Sequence, residues 1–323
     1  MRTIAIVAGG DSSEYEISVK SAVEVGKLLS PKYLVYIIMI RGTNWYWEDR
    51  KGRYHSIDKN DFSLKVDDSR IRFDAVFIAI HGTPGENGLL QGYFDMMQIP
   101  YSSCSSFCSA LTFNKQACKL FLKEYGIPMA KNILIRKSNI PDPASIIMQT
   151  GLPCFVKPND SGSSFGVTKV KTRDELPAAI ETALRESDEV MIEAFMDGRE
   201  VACGVVKVKG KAIVLPVTEI ISKNEFFDYE AKYTPGKSDE VTPADMPEEI
   251  TNEVQDLSST IYDLLGCKGI VRVDFIIVGG KPYFLEINTV PGMTEESLIP
   301  KQAKAAGIAL YELYSMVIED LFV

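Results

Sequence analysis

Short apolar runs alternate with amphipathic stretches along the first third of the chain. Residues 3–8, "TIAIVA", form an apolar run that stops at Gly9-Gly10, and residues 18–29 carry apolar positions at helical spacing. A second apolar run, "YLVYIIMI" at 33–40, is followed by a stretch holding Trp45 and Trp47 that reads as exposed. A third, "AVFIAIHG" at 75–82, closes on the Gly-rich loop "HGTPGENG", after which residues 89–97 read as a helix. Apolar runs bounded by glycine are buried strands, and their alternation with helices predicts a parallel sheet with ligand loops at the strands' C-terminal ends. Both Gly-rich loops, 9–14 and 81–88, therefore belong at one edge of that sheet.

The pattern then changes. Residues 114–125 read as a helix with Lys115 near its start, ended by "YGIP". Residues 154–157 and 167–171 read as an antiparallel pair around the loop "NDSGSSFG", followed by a helix over 174–186. The strand "EVMIEAFM" leads into "VACGVVKVKGKAIVLPVTEI", a hairpin turning at Lys209-Gly210. Residues 223–247 lose all periodicity, which marks a functional lid or an unstructured segment. A helix over 247–265, a last hairpin "GIVRVDFIIVGGKPYFLEIN", the loop "TVPGMTEES" and a C-terminal helix complete the chain. The expected organisation is an N-terminal substrate-binding α/β unit over 1–103, a central unit over 104–192, and a C-terminal unit over 193–323 with the lid at 223–247.

Composition narrows the function. With 323 residues, the chain is long enough for two or three sub-domains. A net charge of −9 argues against nucleic acid or an anionic membrane as the main partner. No apolar run approaches the roughly 20 residues of a membrane span, and the N-terminal run is too short for a signal peptide, so a cytoplasmic protein is expected. The 6 cysteines form no C-x-x-C and read as buried, reduced thiols. Only His55 and His81 are available as imidazole ligands, so a catalytic metal must be held by oxygen.

Two stretches carry chemistry. In "GLPCFVKPNDSGSSFGV", Lys157 precedes the glycines and a strand follows them, the reverse of a Walker loop, where the lysine opens a helix. A Gly/Ser hairpin tip can still fold over a triphosphate through its N–H groups and the hydroxyls of Ser161, Ser163 and Ser164, with Lys157 adding charge. A flexible turn explains the stretch equally well. In the last hairpin, side chains two apart share a strand face. With a three-residue loop at Gly279-Gly280-Lys281, Asp274 faces Glu286 and Arg272 faces Asn288. Carboxylates opposed across a ladder are destabilising without a cation, and this oxygen set suits Mg²⁺.

The stretches "GGDSSEYEIS", "FIAIHGTPGENGLLQG", "FVKPNDSGSSFGV", "FDYEAKY", "GCKGIVRVDF" and "FLEINTVPGMTEESLIP", in this order, resemble the ATP-grasp superfamily over essentially the whole chain. Within it, they resemble the D-alanine–D-alanine ligase family. One departure is that Ser161 precedes Gly162, where the family usually has an acidic residue before Gly-Ser-Ser; the hydroxyls are kept. The resemblance implies an ATP-grasp fold, a parallel-sheet N-terminal domain followed by two α+β sub-domains that clamp ATP. It also implies a homodimer, and joining of two D-alanines through an acyl phosphate for peptidoglycan synthesis. It assigns Lys115, Lys157, Ser163, Ser164 and Lys232 to the nucleotide phosphates, Glu193 and Glu200 to adenine and ribose, and the backbone at Phe195 and Met196 to the base. Asp274, Glu286 and Asn288 would hold two Mg²⁺ or Mn²⁺ ions. Glu14, near His81, would take the first D-alanine, and Ser297 with Leu298 the second. Arg272 and the Gly292 N–H would stabilise the oxyanion, and Tyr233 would bridge Ser163 and Glu14. A related depsipeptide ligase, of the D-alanine–D-lactate type, is the alternative.

Overall fold

A computed structural model describes residues 1–160, 162, 165–222 and 237–323. Strand β1 (Thr3–Gly9), helix α1 (Tyr15–Leu29) and strand β2 (Leu34–Arg41) come first, followed by β3 (Asn44–Glu48), β4 (Tyr54–Asp58), β5 (Ser63–Val66), β6 (Ser69–Ile71) and β7 (Ala75–Ile78). They form one sheet ordered β6-β5-β4-β3-β2-β1-β7, in which β1 pairs in parallel with both β2 and β7. The parallel part therefore delivers the loops after β1 and β7 to the same edge, as the alternation of runs predicts. The remainder is an antiparallel extension that the pattern did not reveal. Trp45 and Trp47, expected to be exposed, lie half-buried in β3 against the core on one sheet face. The other face packs on α1, and also on the last helices of the chain: Ile4, Ile6 and Phe77 share a core with Leu313, Tyr314 and Ile318.

Helices α2 (Leu89–Met97), α3 (Ser106–Phe113) and α4 (Lys115–Lys123) bridge to the second sheet. Asn114 ends α3 and caps α4, its side chain accepting from Ala117 N at 2.8 Å, which sets Lys115 in the first helical turn. Strands β8 (Asn132–Arg136), β9 (Cys154–Pro158), β10 (Thr168–Val170) and β11 (Glu189–Ala194) form a four-stranded sheet ordered β10-β9-β11-β8. Helices α5 (Pro143–Thr150) and α6 (Leu176–Ala183) cover it. β9 and β10 pair antiparallel around the loop as expected, with Val156 opposite Thr168. β11 continues to Ala194, two residues past the division expected at 192.

The third sheet holds β12 (Arg199–Val208), β13 (Lys211–Val214), β14 (Thr218–Ser222), β15 (Ser238–Val241), β16 (Ile270–Val278) and β17 (Lys281–Asn288). Its order is β15-β14-β12-β16-β17, with β13 also on β12. The β12–β13 turn is at Lys209 and Gly210, both with positive φ, as the sequence suggests. Residues 238–241, expected within an aperiodic lid, instead pair with β14. Helix α7 (Glu248–Leu264) lies against this sheet, and α8 (Leu298–Ala305) and α9 (Leu310–Asp320) end the chain. Among the described residues, no helix is long and apolar enough to cross a membrane.

Candidate active site

The three sheets meet around a cleft of about 1290 Å³. The loop after β1 supplies one wall. Gly9 and Gly10 have φ of +98° and +92°, and a Cβ on Gly10 would lie 2.6 Å from Ile80 Cγ2, so only glycine fits between the two strand ends. The chain then turns so that Glu14, at the N-cap position of α1, lines the cleft. A Cβ on Gly162 would lie 2.6 Å from Glu14 Oε2, which places the tip of the β9–β10 loop directly against this carboxylate.

His81 lies in the cleft wall, buried. Its Nδ1–H donates to Val290 O at 2.8 Å, so Nε2 accepts from the Ser21 hydroxyl at 3.2 Å. Burial pushes its pKa down, opposed by the nearby Glu14 carboxylate, and the ring is neutral. The imidazole thus ties the β7 loop to the loop after β17. Glu86, which the sequence reading did not single out, does the same from the other side, accepting from Gly82 N at 2.7 Å and Val290 N at 3.3 Å. Burial, reinforced by the negative charge of Glu14, raises its pKa to about 8. Its only sequence signal is its place in "HGTPGENG".

Lys115, Lys157, Glu193, Phe195, Met196 and Glu200 line the opposite side. Lys157 Nζ donates to Glu193 Oε2 at 2.5 Å, and Lys119 Nζ lies 2.7 Å from Glu193 Oε1. Burial raises the Glu193 pKa, but the two ammonium groups outweigh it and the carboxyl ends below its ordinary value. Both carboxylate oxygens are thus engaged by lysines, and Glu193 acts as a junction between β9, α4 and β11. Lys119 was missed by the sequence reading; its signal is the i, i+4 spacing from Lys115, which puts both on one face of α4. The Phe195 N–H is taken by Pro153 O at 3.2 Å, and Lys169 Nζ sits 3.9 Å over the Phe195 ring.

The last hairpin forms the floor. Asp274 pairs with Glu286 and Arg272 with Asn288, the expected facing, but by a different route. The turn holds two residues, Gly279 and Gly280, since Val278 pairs with Lys281; that register alone would set Asp274 opposite Leu285. A β-bulge between Asp274 and Phe275 restores the register, and the extra residue returns Glu286 to face Asp274. Arg272 grips Asp274 with both Nε and a terminal NH₂ nitrogen, each 2.8 Å from a carboxylate oxygen, and Asn288 Nδ2 adds a third bond at 3.1 Å. Arg272, Glu286 and Asn288 line the cleft, while Asp274, 3% exposed, lies behind the guanidinium. Two carboxylates and an amide oxygen on one sheet face fit a hard divalent cation. For Asp274 to ligate one, Arg272 must release part of its bidentate grip.

Gly292, Ser297 and Leu298 close the remaining end. A Cβ on Gly292 would lie 2.6 Å from Ser297 Oγ, so the glycine lets the loop fold onto the hydroxyl. Ser297 stands at the N-cap position of α8 with no capping bond from its side chain, its Oγ instead sharing a hydrogen bond with Thr294 Oγ1 at 2.8 Å. A helix N-terminus in this place suits a carboxylate. Ser163, Ser164, Lys232 and Tyr233, along with Ser161, lie outside the described residues.

Comparison with known proteins agrees with this geometry. Residues 3–104 match the family model described as D-ala D-ala ligase N-terminus, and residues 121–319 match that of D-ala D-ala ligase C-terminus. The D-alanine–D-alanine ligase of Phocaeicola vulgatus is 51% identical over 323 residues, 99% of each chain. The crystal structure of D-alanyl-alanine synthetase A from Vibrio cholerae superposes with a TM-score of 0.89 at 29% identity, covering 100% of this chain and 99% of that one. The D-alanine–D-alanine ligase of Bacillus anthracis complexed with ATP gives 0.80 at 30% identity, covering 100% and 98%. With both halves of the family pattern in place and the fold shared end to end, the chain belongs to the D-alanine–D-alanine ligase family.

Proposed function

We propose that this chain joins two D-alanine molecules into D-alanyl-D-alanine at the expense of ATP, through an acyl-phosphate intermediate, supplying a peptidoglycan precursor in the cytoplasm. The observation that carries this reading is one cleft whose lining brings together the Glu14 carboxylate, Ser297 at a helix N-terminus, and Arg272, Glu286 and Asn288 of the last hairpin. Such a site suits two amino acids placed head to tail beside a nucleotide.

In this reading adenine rests against Phe195 and Met196, with Glu200 toward the ribose. Lys115 and Lys157 point at the phosphates, and Glu193 holds Lys157 in place. Asp274, Glu286 and Asn288 would hold Mg²⁺ or Mn²⁺, two ions by family resemblance. The cations neutralise phosphate charge when bound. Glu14 accepts the ammonium of the first D-alanine, whose carboxylate oxygen attacks the γ-phosphorus as ADP leaves. The amine of the second D-alanine, with its carboxylate held at Ser297 and Leu298, attacks the acyl carbon. Arg272 and the Gly292 N–H stabilise the oxyanion before inorganic phosphate departs. Water must be kept out, because it hydrolyses an acyl phosphate. By family resemblance, the segment 223–247 would close over the site, with Lys232 meeting the transferred phosphoryl group, Tyr233 bridging Ser163 and Glu14, and Ser164 beside the phosphates.

The expected sub-domain division at 1–103, 104–192 and 193–323 is supported by one sheet in each part, although β11 runs on to Ala194. A homodimer is expected, with no nucleic-acid or membrane partner. Phosphate release from ATP, compared with D-alanine, L-alanine and D-lactate and with product mass recorded, tests the reading. D-Alanine should be required and the product should have the dipeptide mass. Release that ignores D-alanine, or a depsipeptide product, would overturn it.

A further inference from the structure

Three buried cysteines from separate parts of the chain converge away from the cleft. Cys104 precedes α3, Cys108 lies in its first turn, and Cys267 sits in the turn between α7 and β16. Their sulphurs lie within 4.8 Å of one another, and those of Cys108 and Cys267 are 3.8 Å apart. Exposure is 0%, 1% and 8% in turn. The convergence depends on a glycine: a Cβ on Gly269 would lie 2.0 Å from Ser102 O, so only a bare backbone lets the α7–β16 turn press onto the segment leading to Cys104. Cys104 is fixed further by the Lys268 backbone, its sulphur donating to Lys268 O and accepting from Lys268 N, both at 3.4 Å.

A lone buried thiol is a small hydrophobe and needs no further reason. Three meeting at these distances are different. Thiolates about 2.3 Å from a tetrahedral ion stand about 3.8 Å apart, whereas a disulfide needs about 2.05 Å. The Cys108–Cys267 separation, which also suits a thiol–thiol hydrogen bond, is too long for a disulfide and matches the spacing of two ligands in a metal cage. On one side Cys267 borders a cavity of about 580 Å³, also lined by Ser103, Tyr262 and Lys268, which gives an ion entry and leaves room for a solvent ligand. A divalent ion with three thiolates leaves one net negative charge beside Lys268, while a monovalent ion leaves two, a heavier cost in a buried place.

We propose that Cys104, Cys108 and Cys267 form a binding site for a thiophilic divalent cation of the zinc class, with a fourth ligand from the cavity side. Binding exchanges thiol protons for the ion and releases them to solvent, so affinity rises with pH. The ion would fasten α3 to the turn entering β16. α3 runs through Asn114 into α4, which carries Lys115 and Lys119, and β16 carries Arg272 and Asp274. The site would therefore brace two elements of the cleft from behind.

The test is titration of the reduced, chelator-treated full chain with Cd(II), following the ultraviolet thiolate-to-cadmium charge-transfer band, then displacing it with Zn(II). One ion per chain with the intensity of three thiolates is expected. Cys108→Ser and Cys267→Ser should each weaken binding about tenfold or more, and Cys154→Ser, outside the cluster, should not. A band of one thiolate per ion, or equal affinity in the cluster variants, would overturn the proposal. So would a reduced chain that takes up no Cd(II) while oxidation links Cys108 to Cys267. The thiolate count in the unaltered chain decides the matter even where a serine variant fails to fold.

Discussion

Lys119 and Glu193 form an ion pair with Nζ 2.7 Å from Oε1, and both side chains are almost wholly buried, at 2% and 3%. Lys119 also donates to Phe284 O at 3.2 Å, so one ammonium joins α4 to β11 and to β17. Burial lowers the Lys119 pKa, partly offset by the Glu193 carboxylate, whose own pKa is held below its ordinary value by Lys119 and Lys157. Removing Lys119 leaves Glu193 short of one compensating charge in a dry place. Lys119→Met is expected to destabilise the fold by about 3 kcal/mol and to raise the KM for ATP. Thermal unfolding and ATP titrations of the variant check this. An unchanged melting midpoint would show the pair to be idle.

Glu86 makes stability depend on pH in a direction unusual for a carboxylate. Its folded pKa is raised from 4.5 to about 8, so between those values the folded chain keeps a proton that the unfolded chain has lost. The contribution is fullest below pH 4.5 and is lost as pH rises to about 8. Glu86→Gln mimics the protonated form. Its stability relative to the parent should grow by a few kcal/mol from pH 5 to pH 9. Denaturant unfolding at both pH values measures this, and a pH-independent difference would contradict it.

The facing pair Asp274 and Glu286 gives a separable outcome. Asp274→Asn and Glu286→Gln should each nearly abolish turnover, while Glu286→Gln should leave the melting temperature close to the parent's, since it relieves like-charge repulsion. Asp274→Asn is the more damaging to stability of the two because it also breaks the Arg272 grip. Full turnover of both variants at limiting Mg²⁺ would refute the metal role.

Gly162 stands against Glu14, and a Cβ there would come within 2.6 Å of Oε2. The carboxylate is the far end of a flexible side chain, so Gly162→Ala should fold normally and displace Glu14 from its position. The first D-alanine should then bind more weakly, with the KM rising about tenfold, a cost near 1.4 kcal/mol. Steady-state kinetics in D-alanine test this; an unchanged KM would mean that the loop gives way instead.

Much of this was legible along the chain because it depends on local periodicity. The apolar runs ending in Gly9-Gly10 and at His81 predict parallel strands with their loops at one edge, since a buried parallel strand needs apolar residues on both faces and glycine where the chain turns sharply; the structure makes the two strands neighbours. The two-residue period placed Arg272 with Asp274 and Glu286 with Asn288, because alternation is a property of any extended backbone. The matching stretches were enough to point to the family, as each is contiguous. What only the tertiary structure decided are contacts between segments far apart in sequence. The bulge after Asp274 depends on how β16 and β17 pack, and no local pattern encodes which residue is left unpaired. The Lys119–Glu193 pair, the shared hold of His81 and Glu86 on the Val290 backbone, and the meeting of Cys104, Cys108 and Cys267 each require separate elements to be brought together by the folded core. A side chain's propensity and spacing report its own element, while its partner, and hence its charge state and chemistry, is set by what that core buries beside it.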